Sequence, residues 1–163
     1  MKENTFVHRM TKVVLDVLAV VGIICSFGSF YIARLITRLG GYSEKNIFGN
    51  FGSLGEERSV IFLAVILFLS GLLSVYILLN LRSMYKTLLG GDPFVRTNIY
   101  CLRKIALACA VISAIYFFKA FFFFTFTTLA VCVTFCIASL FCLTLKDVFK
   151  RAIILKEENN LTI

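Results

Sequence analysis

Residues able to do chemistry are few and scattered along this chain of 163 residues. His8 is the single histidine, so a His-based metal site or catalytic dyad has nothing to build on within one chain. Six cysteines, Cys25, Cys101, Cys109, Cys132, Cys136 and Cys142, form no C-x-x-C pair. Cys132 and Cys136 stand one helical turn apart and could face each other, but in lipid such cysteines serve as small packing residues. Gly49, Gly52 and Gly55 could in principle cradle a phosphate, yet no strand precedes them and Glu56 and Glu57 would repel an anion, so they read as an ordinary loop. No carboxylate pair or nucleophile array stands out. The expectation is a protein that is not an enzyme and needs no metal or cofactor.

The elements that would have to position any site are apolar. Residues from AVILMFWYC make up 60% of the chain and charged residues 16%, with 18 Phe, one Pro and a mean hydropathy of +0.92. A soluble domain is about 25% charged, so the composition excludes one. A bilayer core of about 30 Å needs roughly 20 apolar residues in a helix. Spans are expected at 13–33, 60–81, 99–118 and 126–145. Fifteen of the twenty residues 60–79 are Leu, Ile, Phe or Val, contributing about −5 to −9 kcal/mol to insertion. Residues 105–145 carry one charge, Lys119, and as one helix would be about twice too long. The chain must therefore reverse at about 119–125, with Lys119 snorkelling to the interface, a Thr among Thr125, Thr127 and Thr128 capping the next helix, and an interfacial cluster of Phe around the turn. Residues 13–33 exceed a signal-peptide core of about 7 to 15 and precede no A-x-A site, so they are expected to stay as an anchor.

Orientation follows from the basic residues. Of the seventeen Lys and Arg, twelve fall on one side of these spans: Lys2, Arg9, Lys12, Arg82, Lys86, Arg96, Arg103, Lys104, Lys146, Lys150, Arg151 and Lys156. Positive residues stay inside, which predicts cytoplasmic termini. The net charge of +8 then reflects orientation and contact with the lipid bilayer's anionic headgroups, not direct nucleic-acid binding. Ionisable residues within lipid are functional candidates by default. Asp16 is expected to pair with Lys12 one turn earlier, and no polar line crosses the spans, which argues against an ion-coupled transporter.

Between spans, 34–59 reads as an external loop that starts as a helix with Arg34 and Arg38 on one face, is stopped by Gly40 and Gly41, and ends at a Ser53/Glu56 capping box. Residues 82–104 read as a cytoplasmic helical hairpin, with Gly90 or Gly91 ending one helix and Asp92 and Pro93 starting the next. The tail, 146–163, reads as an amphipathic helix with Val148, Phe149, Ala152, Ile153 and Leu155 on its apolar side. The fold class is thus all-α: an integral membrane four-helix bundle, one transmembrane domain over 1–163, with a short cytoplasmic helical hairpin and a C-terminal amphipathic helix. Small residues at four-residue spacing, Ala106, Ala110 and Ala114 with Ala130, Thr134 and Ala138, are expected to join spans three and four, or else to make a homo-oligomer. Gly22 with Ser26, and Ser70 with Ser74, suggest weaker contacts in the first two spans.

Gly91-Asp92-Pro93-Phe94 followed by Asn98 and Leu102-Arg103, and the ending Leu155-Lys156-Glu157-Glu158-Asn159-Asn160-Leu161-Thr162-Ile163, resemble the YoaS-like family of small four-span bacterial membrane proteins, a domain of unknown function. The likeness covers essentially the whole chain, although family members usually carry Asp where this chain has Asn160. The resemblance implies a setting beside a very small helix-turn-helix regulator that the membrane protein restrains or signals to. Asp92, Pro93, Phe94, Asn98 and Arg103 of the hairpin, with Glu157, Glu158, Asn159, Leu161, Thr162 and Ile163 of the tail, are the expected partner-binding residues, since both groups fall on the cytoplasmic side. The rival reading is an accessory or oligomeric subunit of a membrane transport or export system, working through the small-residue stripes and the Phe-rich rim.

Overall fold

A computed structural model describes residues 2–40, 56–89, 95–122 and 124–160. Gly28, Val95, Phe124 and Thr125 are the only described residues outside a helix, and the described residues contain no strand. The helices are α1 (Lys2–Phe27), α2 (Ser29–Gly40), α3 (Glu56–Leu89), α4 (Arg96–Phe122) and α5 (Phe126–Asn160). Four are long and apolar enough to cross a membrane, through Met10–Phe27, Val60–Thr87, Arg96–Phe121 and Phe126–Glu158. Large side chains such as Ile24, Phe27, Leu107, Ile137 and Phe141 face outward, which a lipid-facing surface accommodates and water does not.

The first apolar segment is divided into two helices where a continuous span was expected. Gly28 separates α1 from α2, which opens at Ser29, although the ladder persists through Gly28 N–H to Ile24 O (2.9 Å) and Ile32 N–H to Gly28 O (3.0 Å). Helices are interrupted at Gly/Ser pairs because little side chain stiffens the turn. α2 then ends at Gly40, and Ala33 on it packs into a core with Val60, Leu63 and Ala64 of α3. The expected Ser53 cap and the loop 41–55 lie outside the described residues. α5 runs unbroken through the expected tail: Phe149, Ala152 and Ile153 turn inward, whereas Val148 and Leu155 stay exposed.

Close packing proceeds in chain order, α1 on α3, α3 on α4 and α4 on α5, with α2 along α3. Neighbours run antiparallel. Asp16 meets Arg82, Gly22 meets Val75 and Ser26 meets Gly71, so position numbers climb on α1 as they fall on α3. Likewise Ser113 meets Cys132 and Ala106 meets Ser139 across α4 and α5.

A seven-residue repeat governs the α4–α5 seam. On α5 the inward residues are the rows Thr128, Phe135, Cys142, Phe149; Cys132, Ser139, Lys146, Ile153; and Val131, Ala138, Leu145, Ala152. α4 buries four rows of seven, among them Asn98, Ile105, Ile112, Lys119 and Leu102, Cys109, Tyr116, because it is covered from both sides. A period of 3.5 residues is that of left-handed packing at shallow angles. Steps of four residues drift about 40° each around a helix of 3.6 residues per turn. That drift corrects the expected stripes. Ala106 is buried and Ala138 half-buried, but Ala110, Ala114, Ala130 and Thr134 face outward. The seam is held instead by Ser139 Oγ donating to Ala106 O (2.9 Å) and Ser113 Oγ donating to Cys132 O (2.9 Å), bonds worth about 0.6 to 2 kcal/mol in lipid. Cys136 faces outward while Cys132 serves this seam, so the two do not meet.

Lys119 requires a second correction. It does not reach out from a turn but occupies α4, 7% exposed, with Nζ 5.7 Å from the centre of the Tyr116 ring. Its place on the row of Asn98, Ile105 and Ile112 turns it inward, and the ring face beneath it favours a cation. The reversal itself is at Phe124 and Thr125, and Leu129 N–H donates to Thr125 O (3.2 Å).

Candidate functional site

Polar side chains gather at one end of the helices, where α1 packs on the end of α3, α3 on the start of α4, and α4 on the end of α5. Asp16 lies six residues, about 9 Å, inside the membrane window of α1 that opens at Met10. Arg82 of α3 forks onto it, Nε 2.7 Å from Oδ1 and Nη2 donating to Oδ2 at 3.1 Å. The Nε–H is not aimed along its short contact and makes no hydrogen bond, so the pairing there is ionic. Arg82, not the expected Lys12, thus neutralises Asp16. A fork on a neighbouring helix fits a carboxylate with two parallel contacts, which a flexible ammonium cannot. Reversing either charge alone is expected to lower stability by about 1 kcal/mol, and the exchanged pair D16R/R82D to recover most of it. Thermal unfolding in detergent reads this out.

The α3–α4 hairpin is closed by Asn98, which is fully buried. Thr87 Oγ1 donates to Asn98 Oδ1 (2.6 Å) and lies 2.7 Å from Met84 O, so one hydroxyl proton is shared between two acceptors. Asn98 N–H donates to Val95 O (3.0 Å), and α4 begins at Arg96, later than the expected start at Pro93. The bond to Thr87 ties the first turn of α4 to the last turn of α3. Asn98 has no surface left for a partner and acts within the hairpin.

Between α4 and α5 at this end lies a cleft of about 530 Å³. Arg96, Tyr100 and Arg103 line it from α4, and Lys146, Lys150 and Ile153 from α5. Arg96 Nη2 reaches both Glu157 oxygens, at 2.9 and 3.2 Å, so the two helices are tied beyond the last seam bond. Lys146 Nζ is 3.2 Å from Asp147 Oδ1. Such a cleft can hold an anion; it contains no nucleophile and base in hydrogen-bonding contact. Among the described residues no three of His, Cys, Asp and Glu are grouped to hold a metal ion. A second, smaller hollow of about 230 Å³ beside the α1–α2 junction is lined by Ser26, Ser29, Ser70, Ser74 and Tyr116. Ser26, Ser70 and Ser74 donate to carbonyls of their own helices.

Of the residues expected to bind a partner, Arg103 and Glu157 come together on this cleft, Glu158 is exposed on the same helix and Asn159 belongs to α5. Asp92, Pro93, Phe94, Leu161, Thr162 and Ile163 lie outside the described residues. Sequence reasoning missed Arg96, Tyr100, Lys146 and Lys150 as a group because the two pairs stand 46 or more residues apart on two helices; the seven-residue repeat is the signal that could have aligned them.

No curated protein and no solved structure matches the chain. One family model does, described as a protein of unknown function (DUF2975), and it matches residues 7–163. With α2 to α5, α1 from Val7 onward and every residue of the basic cleft inside that match, the chain belongs to the DUF2975 family.

Proposed function

We propose that this DUF2975 protein is a non-catalytic, multi-pass protein of the bacterial cytoplasmic membrane, both termini inside, that modulates a small cytoplasmic helix-turn-helix regulator through the projecting ends of α4 and α5. The observation that carries this reading is the length of α5. Its 35 residues extend about 52 Å, roughly 20 Å more than the hydrocarbon needs, and the charges begin only at Lys146. The surplus is therefore a rigid helix outside the lipid, braced by the Arg96–Glu157 pair. The excess of basic residues at that end supports its placement inside, and the YoaS-like resemblance supports a regulator as the partner.

Crosslinking in intact cells with mass spectrometry, comparing the full chain with one truncated after Asn160, tests the reading. Recovery of a small helix-turn-helix protein that disappears on truncation is the expected result. Recovery of membrane proteins alone from both samples overturns it in favour of an accessory subunit of a transport or export system. The outward-facing Ala110, Ala114, Ala130 and Thr134 favour that rival, since they leave a close-approach surface free for another helix.

A further inference from the structure

The α4–α5 cleft holds more positive charge than its own carboxylates use. Glu157 occupies Arg96 and Asp147 occupies Lys146. Arg103 and Lys150 are exposed along the same cleft and make no hydrogen bond or ion pair with any described residue. Two uncompensated cations facing one concavity select an anion, and arginine in particular suits phosphate oxygens.

The depth of the cleft says what carries that anion. Lys146 is the first charge after the apolar run 126–145, and Arg103 with Lys104 immediately precedes the run that begins at Ile105. The cleft thus straddles the level where headgroups meet acyl chains. Its lining rows continue into the membrane seven residues on, about 10 Å deeper, as exposed leucines: Leu107 follows Tyr100, Leu143 precedes Lys150 and Leu140 precedes Asp147. A basic mouth above an apolar track matches an amphiphile, and Tyr100, 64% exposed, lies where aromatic rings border the headgroups.

We propose that the α4–α5 cleft binds one anionic phospholipid, its phosphodiester held by Arg103 and Lys150 and its chains lying along Leu107, Leu140 and Leu143. Basic pockets between membrane helices take such headgroups where scattered surface charge gives only a diffuse attraction. Glu157 tunes the site, because the carboxylate that engages Arg96 withholds a third cation from the phosphate. The inference stands apart from the regulator and would survive its failure.

The test uses the full chain in phosphatidylcholine nanodiscs doped with phosphatidylglycerol, transferred to a zwitterionic detergent, with retained lipid counted by native mass spectrometry. R103Q/K150Q is compared with K104Q/R151Q, which removes the same charge one residue away, outside the cleft lining. Retention of phosphatidylglycerol should fall about twentyfold in the first pair and less than about threefold in the second. R103K/K150R should keep it, and E157Q should raise it about twofold or more. Equal losses in both glutamine pairs, or no preference for phosphatidylglycerol over phosphatidylcholine, overturn the proposal. A soluble arm separates the sources of phosphate: millimolar inorganic phosphate should leave the bound lipid in place, and its binding with displacement of the lipid would assign the cleft to a free anion instead.

Discussion

Replacing Gly71 with leucine should part α1 from α3 and destabilise the protein more than any other single substitution at a helix crossing. A Cβ at Gly71 would collide with the Ser26 hydroxyl and come within 3.1 Å of Ser26 Cβ and 3.4 Å of its Cα. The hydroxyl could turn away; the backbone of α1 could not. One turn away, a Cβ at Gly22 would lie 2.9 Å from Val75 Cγ2, so the crossing is tight on both helices. In lipid no hydrophobic drive holds helices together, and close backbone approach at small residues is the main attraction. Even Gly71→Ala forces a separation and should cost about 1 to 3 kcal/mol, while leucine should lose the contact outright. Disulfide trapping across the interface, with cysteines placed at Gly22 and Val75, reports this directly: efficient in the parent, sharply reduced with Gly71→Leu. Undiminished trapping would show that the helices do not meet at Gly71.

Asn98→Leu should open the α3–α4 hairpin. The side chain is fully buried and accepts from Thr87 across the loop, and leucine has similar bulk but no polar atom. Groups left unpaired in a buried site cost about 1 to 3 kcal/mol. Hydrogen exchange over 82–104 should quicken by about tenfold or more, whereas exchange across the α4–α5 seam should change little. The double variant T87V/N98L sharpens the test, because removing both partners together leaves fewer orphans than removing one. It should regain part of the protection; a loss equal to that of the single variant would mean that the bond to Thr87 does not hold the hairpin.

The helix content and the number of membrane windows were legible because they depend on local quantities: charge-free length, Gly punctuation and the excess basic residues of the loops. The reversal at Phe124 and Thr125, within the expected turn and without a Gly to mark it, followed from length alone, since a run of 41 residues with a single charge cannot cross a core of about 30 Å once. The break at Gly28 was in principle visible as a Gly/Ser pair, but it interrupts no apolar run and a hydropathy count passes over it.

The candidate site was only half legible. Arg103 and Glu157 were singled out on separate segments, yet their meeting on one cleft depends on the register between α4 and α5, and register is a property of two surfaces. The partners of Asp16 and Lys119 failed for the same reason. A sequence offers neighbours at i and i+4, hence Lys12 for Asp16, while the fold supplied a better-shaped guanidinium 66 residues away. Lys119 looked like a charge that must leave the lipid, and the seven-residue row beginning at Asn98 carried it inward over a Tyr ring.

By itself, then, the order of residues determined that this chain is helical, apolar enough to cross a membrane four times and basic at one end, because insertion energy and helix propensity add up along the chain. Tertiary structure alone decided which faces meet, which charges are paired and that Arg103 and Lys150 of the α4–α5 cleft have no ion-pair partner among the described residues. Those outcomes depend on the 3.5-residue period at which antiparallel helices interlock, and a shift of one residue in that register would exchange the buried rows for the exposed ones.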